Sequence, residues 1–220
     1  MLSTRHFQHR YVPAEKPGDR ERVLVVLHGL GDSLEGFAFL PRELGVGEFS
    51  HLLLNAPDPY HGGFSWFDFL GDPEPGVLRS RELLLKMLDE LEEQGLQAKD
   101  IFLFGFSQGC LMAVDAGLRA GKILGGICGV SGYVAFEEEY PDKFSPVAKE
   151  QHFLITHGKR DPVVPYAPAS SQFVKLKRLG LDMEFRAYDK EHTILPGELR
   201  DIGKWFRERI GHLGTPTATR

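Results

Sequence analysis

Seven short runs along the chain are rich in β-branched, aromatic or other apolar residues, and several of them are continuously apolar: residues 7–12, 22–28, 51–55, 101–106, 124–130, 152–156 and 183–188. A strand with one wet face alternates apolar and polar residues, whereas runs such as VLVVL and IFLFGF offer no polar side. They predict strands covered on both faces, as in a mostly parallel sheet. Between them the period lengthens to that of a helix. Residues 78–94 carry Leu84, Leu85, Leu88 and Leu91 on one face and stop at Gly95. Similar patterns over 108–120, 169–179 and 198–210 stop at Gly121, Gly180 and Gly211. Repeated strand–helix units predict an α/β architecture, with right-handed crossovers placing helices on both faces of the sheet.

Two segments break this rhythm. Residues 57–76 (PDPYHGGFSWFDFLGDPEPG) are rich in Gly, Pro and aromatics and exceed an ordinary connection. Residues 132–151 are acidic and interrupted by Pro141 and Pro146. Neither is long enough for a separate lid domain. With 220 residues, no repeat and no linker, the pattern predicts one domain over 1–211 and a disordered tail over 212–220.

Composition adds exclusions. A net charge of −5 without a dense Lys/Arg run argues against a nucleic-acid partner. The first residues, MLSTRHFQHR, lack the apolar stretch of a signal peptide, and no apolar run is long enough to span a membrane. Cys110 and Cys128, the two cysteines, sit in apolar segments and read as buried free thiols of a reducing compartment, so a cytoplasmic protein is expected. No metal-binding spacing such as H-E-x-x-H occurs, and no metal or cofactor is expected.

One stretch carries chemistry. Ser107 lies in GFSQG, between the strand IFLFGF and the helix QGCLMAVDAGL, which matches the G-x-S-x-G nucleophile elbow. A strand that reverses into a helix within one residue strains that residue's backbone and brings the positions two before and two after into collision, hence Gly105 and Gly109. The serine hydroxyl is then exposed above a helix N-terminus, whose dipole favours developing negative charge. Ser65 and Ser131 lack the second spaced glycine.

A serine nucleophile needs a base, and the base an orienting carboxylate, in the chain order Ser, Asp/Glu, His. Asp161 lies in the loop after the strand over 152–156 and His192 follows the last strand, both at carboxyl ends and so at the sheet edge of the elbow. His152 and His157 lie in or at the end of their strand. Asp189 shares a loop with His192 and is badly placed to align its ring. Oxyanion donors are expected from the backbone N–H of Gln108, after the nucleophile, and of Leu30, between Gly29 and Gly31 in HGLGDS. Alone, that loop could equally be a plain turn capped by Asp32 or Ser33; beside the elbow, the oxyanion reading is the stronger.

HGLGDS, GFSQG, the block from His157 to Pro165 and the His192 loop together resemble the phospholipase/carboxylesterase group of small α/β-hydrolases, which includes bacterial carboxylesterases and acyl-protein thioesterases. The resemblance spans nearly the whole chain. It implies the α/β-hydrolase fold, with Ser107 as nucleophile, His192 as general base, Asp161 as its orienter, and Leu30 and Gln108 as oxyanion donors. The SWFD segment resembles the family's tryptophan segment beside the active site. Cys110 departs from the pattern, since relatives usually carry another glycine there.

Phe64, Trp66, Phe67 and Phe69 crowd one loop and are expected to wall an acyl pocket, with core packing as the alternative. Without a basic cluster to clamp phosphate, the expected substrates are small carboxylic esters, with acyl thioesters and an acylated protein as further candidates. The alternatives are a lysophospholipase and, in a different class, a non-catalytic α/β-hydrolase scaffold that binds a ligand or protein. Oligomeric state is not encoded in these patterns.

Overall fold

The computed structural model describes residues 1–213; the expected tail from residue 214 onward lies outside them. The chain forms β1 (His9–Val12), β2 (Val23–Leu27), α1 (Leu40–Glu43), β3 (Ser50–Leu54), β4 (Asp58–Tyr60), β5 (Gly63–Ser65), α2 (Glu74–Glu93), β6 (Ile101–Phe106), α3 (Gln108–Arg119), β7 (Gly126–Val130), β8 (His152–Gly158), α4 (Tyr166–Arg178), β9 (Asp182–Tyr188) and α5 (Pro196–Leu213). Seven strands form one sheet in the order β1-β3-β2-β6-β7-β8-β9. Only β1 runs antiparallel, against β3; the remaining pairs are parallel. The structure is thus the expected α/β fold with a mostly parallel sheet and no separate lid.

Alternate residues of each strand point to opposite sides, and in the five inner strands both sides are dry, whereas the edge strands β1 and β9 are mostly half-buried or exposed. Val23, Val25, Leu27, Ile101 and Leu103 join residues of α2, α3 and α4 in one core layer. Leu24, Val26, Phe102 and Phe104 join residues of α1 and α5 in the other. That division explains the unbroken apolar runs. Differences from the sequence reading sit at element ends and in short pieces: α2 begins at Glu74, α4 at Tyr166, and the 57–76 segment contains the β4–β5 hairpin.

His51 is a polar side chain in this apolar setting. It lies on β3 in register with Leu24, which is in turn in register with Phe102, and is 2% exposed. Burial pushes its pKa down to about 4, against the opposing pull of the Phe49 backbone. The folded value lies below that of an unfolded histidine, about 6.5, so the unfolded chain takes up the extra proton between those two values. The stability is therefore fully present above this window and falls as the pH drops through it, by on the order of 2–3 kcal/mol for this group. Urea unfolding at pH 7 and pH 4.5 is expected to show a smaller pH loss in His51→Leu than in the unsubstituted protein. Equal losses would exclude His51 as the source.

Candidate active site

Ser107 sits between β6 and α3 with φ 55° and ψ −116°, a conformation that L-residues rarely adopt. Its N–H donates to the carbonyl of Val130 at 2.9 Å, fixing the turn to the end of β7. The flanking glycines are sterically required. A Cβ on Gly105 would lie 2.1 Å from the Gly109 carbonyl oxygen, and one on Gly109 would lie 2.2 Å from that of Leu27. Strand, elbow and helix can approach this closely only without side chains at those two positions.

Three distant parts of the chain meet at the hydroxyl. The His192 Nε2 lies 3.0 Å from Ser107 Oγ, and its Nδ1 lies 2.8 Å from Asp161 Oδ2. With Nδ1–H donating to the carboxylate, Nε2 is free to accept the serine proton. The other carboxylate oxygen, Oδ1, accepts the N–H groups of Val163 and Val164, each at 2.9 Å. Burial works to raise the Asp161 pKa, but the Val164 N–H, the His192 contact and the Val163 N–H hold it below the usual carboxylate value. The carboxylate stays ionised at neutral pH and has a partner on both oxygens. The His192 ring also packs against Phe106, with centroids 5.0 Å apart.

The alternative residues lie elsewhere. Asp189 has a 79% exposed side chain paired with Arg160 at 2.7 Å. His157, inside β8, is buried, and its Nε2–H donates to the Val164 carbonyl at 2.9 Å. It thereby braces the turn that presents the two amides to Asp161.

Leu30 and Gln108 flank Ser107 and His192 in a cavity of about 230 Å³. Neither backbone N–H has an acceptor among the described residues, and Gln108 is the first residue of α3, where helix geometry leaves the amide unpaired. The loop bearing Leu30 is pinned by paired backbone bonds, Gly31 N–H to Phe64 at 2.9 Å and Phe64 N–H to Asp32 at 2.8 Å. The Gln108 side chain has a second job that the sequence did not reveal. Its Oε1 accepts the Trp66 N–H at 3.1 Å, and its Nε2 donates to the Phe67 carbonyl at 3.1 Å. The aromatic segment is thereby fastened to the elbow.

Of the aromatics expected to wall the acyl pocket, Trp66 and Phe67 are fully buried and Phe64 is half-buried, and none of the three lines the cavity. The Trp66 Nε1–H donates to the His28 carbonyl at 2.9 Å and the indole packs on Phe7 and His28. A large ring whose one polar atom finds a backbone acceptor gains more beneath the site than at its mouth. Trp66→Ala is therefore expected to cost about 3–5 kcal/mol in a urea melt; a loss under about 1 kcal/mol would contradict this placement. The aromatic of this segment that lines the cavity is Phe69, 48% exposed, beside Phe106 and Tyr133 from other elements. With Tyr133, Val163 and Val164 it also lines an adjoining trough of about 280 Å³ that continues over Pro165, Pro168 and Ala169. Cys110 is buried, and its Sγ fills the space where a Cβ on Gly129 or Gly132 would lie. Burial raises its pKa to about 12, so it is an inert thiol. No helix among the described residues is long and apolar enough to cross a membrane.

A family model described as Phospholipase/Carboxylesterase matches residues 11–210. Acyl-protein thioesterase 1 of Schizosaccharomyces pombe is 33% identical over 68% of this chain and 72% of its own length. A protein of Oryza sativa subsp. japonica described as a probable inactive carboxylesterase is 29% identical over 91% of this chain and 89% of its own. Among solved structures, that of esterase PE8 superimposes with a TM-score of 0.82 at 28% identity, covering 92% of this chain and 98% of that one.

Proposed function

Because the chain belongs to the phospholipase/carboxylesterase family, and so to the serine-hydrolase-type enzymes, we propose that it cleaves carboxylic esters through an acyl-enzyme on Ser107, with acyl thioesters as the neighbouring substrate class. The observation that carries this reading is the unbroken hydrogen-bond chain Ser107–His192–Asp161, at 3.0 and 2.8 Å.

In the first half-reaction Ser107 Oγ attacks the acyl carbon as His192 Nε2 takes its proton. Asp161 holds the ring in the accepting tautomer and stabilises the imidazolium. The charge that develops on the carbonyl oxygen is met by the N–H groups of Leu30 and Gln108. Collapse of the tetrahedral intermediate expels the alkoxide or thiolate, which takes the proton from His192. Water, activated by the same imidazole, then attacks the acyl-enzyme, and the acid leaves as Ser107 regains its proton.

The walls support neutral acyl substrates. Among the described residues lining the cavity and its trough there is no Lys or Arg to clamp a phosphate. This weakens the lysophospholipase reading. An acylated protein remains a candidate because the trough opens at the surface. The hydrogen-bonded chain of Ser107, His192 and Asp161 favours a catalytic reading over a non-catalytic scaffold.

The test is a panel of p-nitrophenyl esters of increasing chain length, run beside acyl-CoA and lysophospholipid. Turnover of the esters is expected, and turnover of lysophospholipid alone would contradict the reading. Within that panel Phe69→Ala should lower kcat/KM more for the octanoyl than for the acetyl ester. A buried methylene is worth about 0.8 kcal/mol, and the bond broken is the same in both. Equal losses would remove Phe69 from the acyl wall.

A further inference from the structure

The segment that carries His192, residues 189–195, has no regular structure, yet the reaction proposed above requires its imidazole to be held to within a fraction of an ångström. We infer that Lys190, neutralised by Glu198, is the positioning residue that fixes the His192 loop against the end of β7, to which the nucleophile's turn is bonded. The inference rests on the reading of His192 as the base.

Lys190 has a side chain wholly removed from solvent, as does Glu198. Its Nζ meets three oxygens from three elements. It donates to the Thr193 carbonyl at 2.6 Å, to Ser131 Oγ at 3.2 Å, and pairs with Glu198 Oε1 at 2.8 Å. Two of the three ammonium protons are given to hydrogen bonds, and the Glu198 carboxylate faces the ammonium as an ion pair. The bond from 190 to 193 closes a ring of chain around Glu191 and His192, which sets the direction of the peptide leaving His192. Ser131 directly follows Val130, the residue whose carbonyl receives the Ser107 N–H. The ammonium thus ties the backbone beside the base to the backbone beside the nucleophile. Ser131 itself is buried at φ 53°, a strained conformation retained beside the site.

Glu198 completes the device. Its second oxygen accepts the Leu195 N–H at 3.1 Å, anchoring the far end of the loop to the first turn of α5. The titratable groups around the ammonium are Glu198 on α5, Asp161 after β8, His157 on β8, Cys128 on β7 and His192 on the same loop. Burial pulls the Lys190 pKa down while Glu198 and Asp161 oppose it. A buried ion pair is weak support for stability, since apolar residues of similar volume often do as well. Two directed hydrogen bonds and an ion pair converging on one ammonium are something an apolar pair could not supply.

The experiment is a double-mutant cycle on the full chain with p-nitrophenyl acetate. Lys190→Met is expected to lower kcat on the order of 10²-fold, as for a misplaced catalytic group, with KM within about twofold. Fluorophosphonate labelling of Ser107 should slow by the same factor. The substitution leaves Glu198 buried without a partner, so the paired variant Lys190→Met/Glu198→Met is measured as well and should show the same kcat loss. Adding Lys190→Met to His192→Ala should then cost nothing further, because the residue acts through a ring that is gone. Losses that multiply, or a kcat for the Lys190 variants within about threefold of the unsubstituted enzyme, would make the pair a structural tie and overturn the inference. If neither Lys190 variant folds, Ser131→Ala decides: a several-fold drop in kcat at unchanged melting temperature supports positioning, and an unchanged kcat overturns it. An unsubstituted protein that fluorophosphonate does not label at Ser107 overturns the proposed function itself, whereas a labelled one with unaffected variants overturns the Lys190 inference alone.

Discussion

Ser107→Ala is expected to abolish ester hydrolysis, lowering kcat by roughly 10⁴-fold or more. The Ser107 hydroxyl is the group hydrogen-bonded to His192 Nε2, and the cavity around it contains no other Ser, Thr, Cys or Lys among its described lining residues. The fold should be unaffected. The Ser107 backbone, not its hydroxyl, bonds to Val130 and to Leu111, so removing Oγ leaves the elbow tied at both ends. Steady-state kinetics on p-nitrophenyl acetate, with circular dichroism as the control, give the result. A folded variant that retains a tenth of the turnover would mean that the nucleophile is another residue.

Asp161→Asn is expected to cost roughly 10³- to 10⁴-fold in kcat with little change in stability. The asparagine oxygen can still accept the Val163 and Val164 N–H groups, which hold Oδ1 in the native side chain. That leaves the amide nitrogen facing His192 Nδ1, where it donates instead of accepting. The imidazole must then carry its proton on Nε2, the atom that has to receive the serine proton. Asp189→Asn, by contrast, removes an exposed pair with Arg160 and should be nearly silent. A damaging Asp189→Asn beside a silent Asp161→Asn would reverse the assignment of the orienting carboxylate.

The parts of the molecule legible in sequence share a physical reason. The five inner strands, β2, β3, β6, β7 and β8, are buried on both faces because helices cover both, and that leaves nearly unbroken apolar runs for which no other element competes. Ser107 stood out because two glycines are forced by carbonyls about 2 Å from where a Cβ would lie. The end of a strand is likewise readable, so the loops of Asp161 and His192 could be named in advance, and the folded chain brings both side chains to the serine hydroxyl.

What was not legible depends on which way a side chain turns. The 57–76 segment announced its aromatics but not that Trp66 goes under the site while Phe69 stays at the cavity. Two three-residue strands and a four-residue helix are too short to establish a period. Nothing in the sequence shows that the Gln108 side chain fastens Trp66 and Phe67 to the elbow. Nothing in the sequence sets Lys190 and Glu198 apart from the exposed charges that lysine and glutamate usually are. Their burial appears only once α5 folds back beside β7.

The most direct test of the whole account is to treat the protein with a stoichiometric fluorophosphonate, measure its intact mass and map the modified peptide. The proposed chemistry requires one adduct per chain, on Ser107 in the peptide containing GFSQG, and no adduct in His192→Ala on the same timescale. An adduct on any other residue, or no adduct on folded protein, would contradict it.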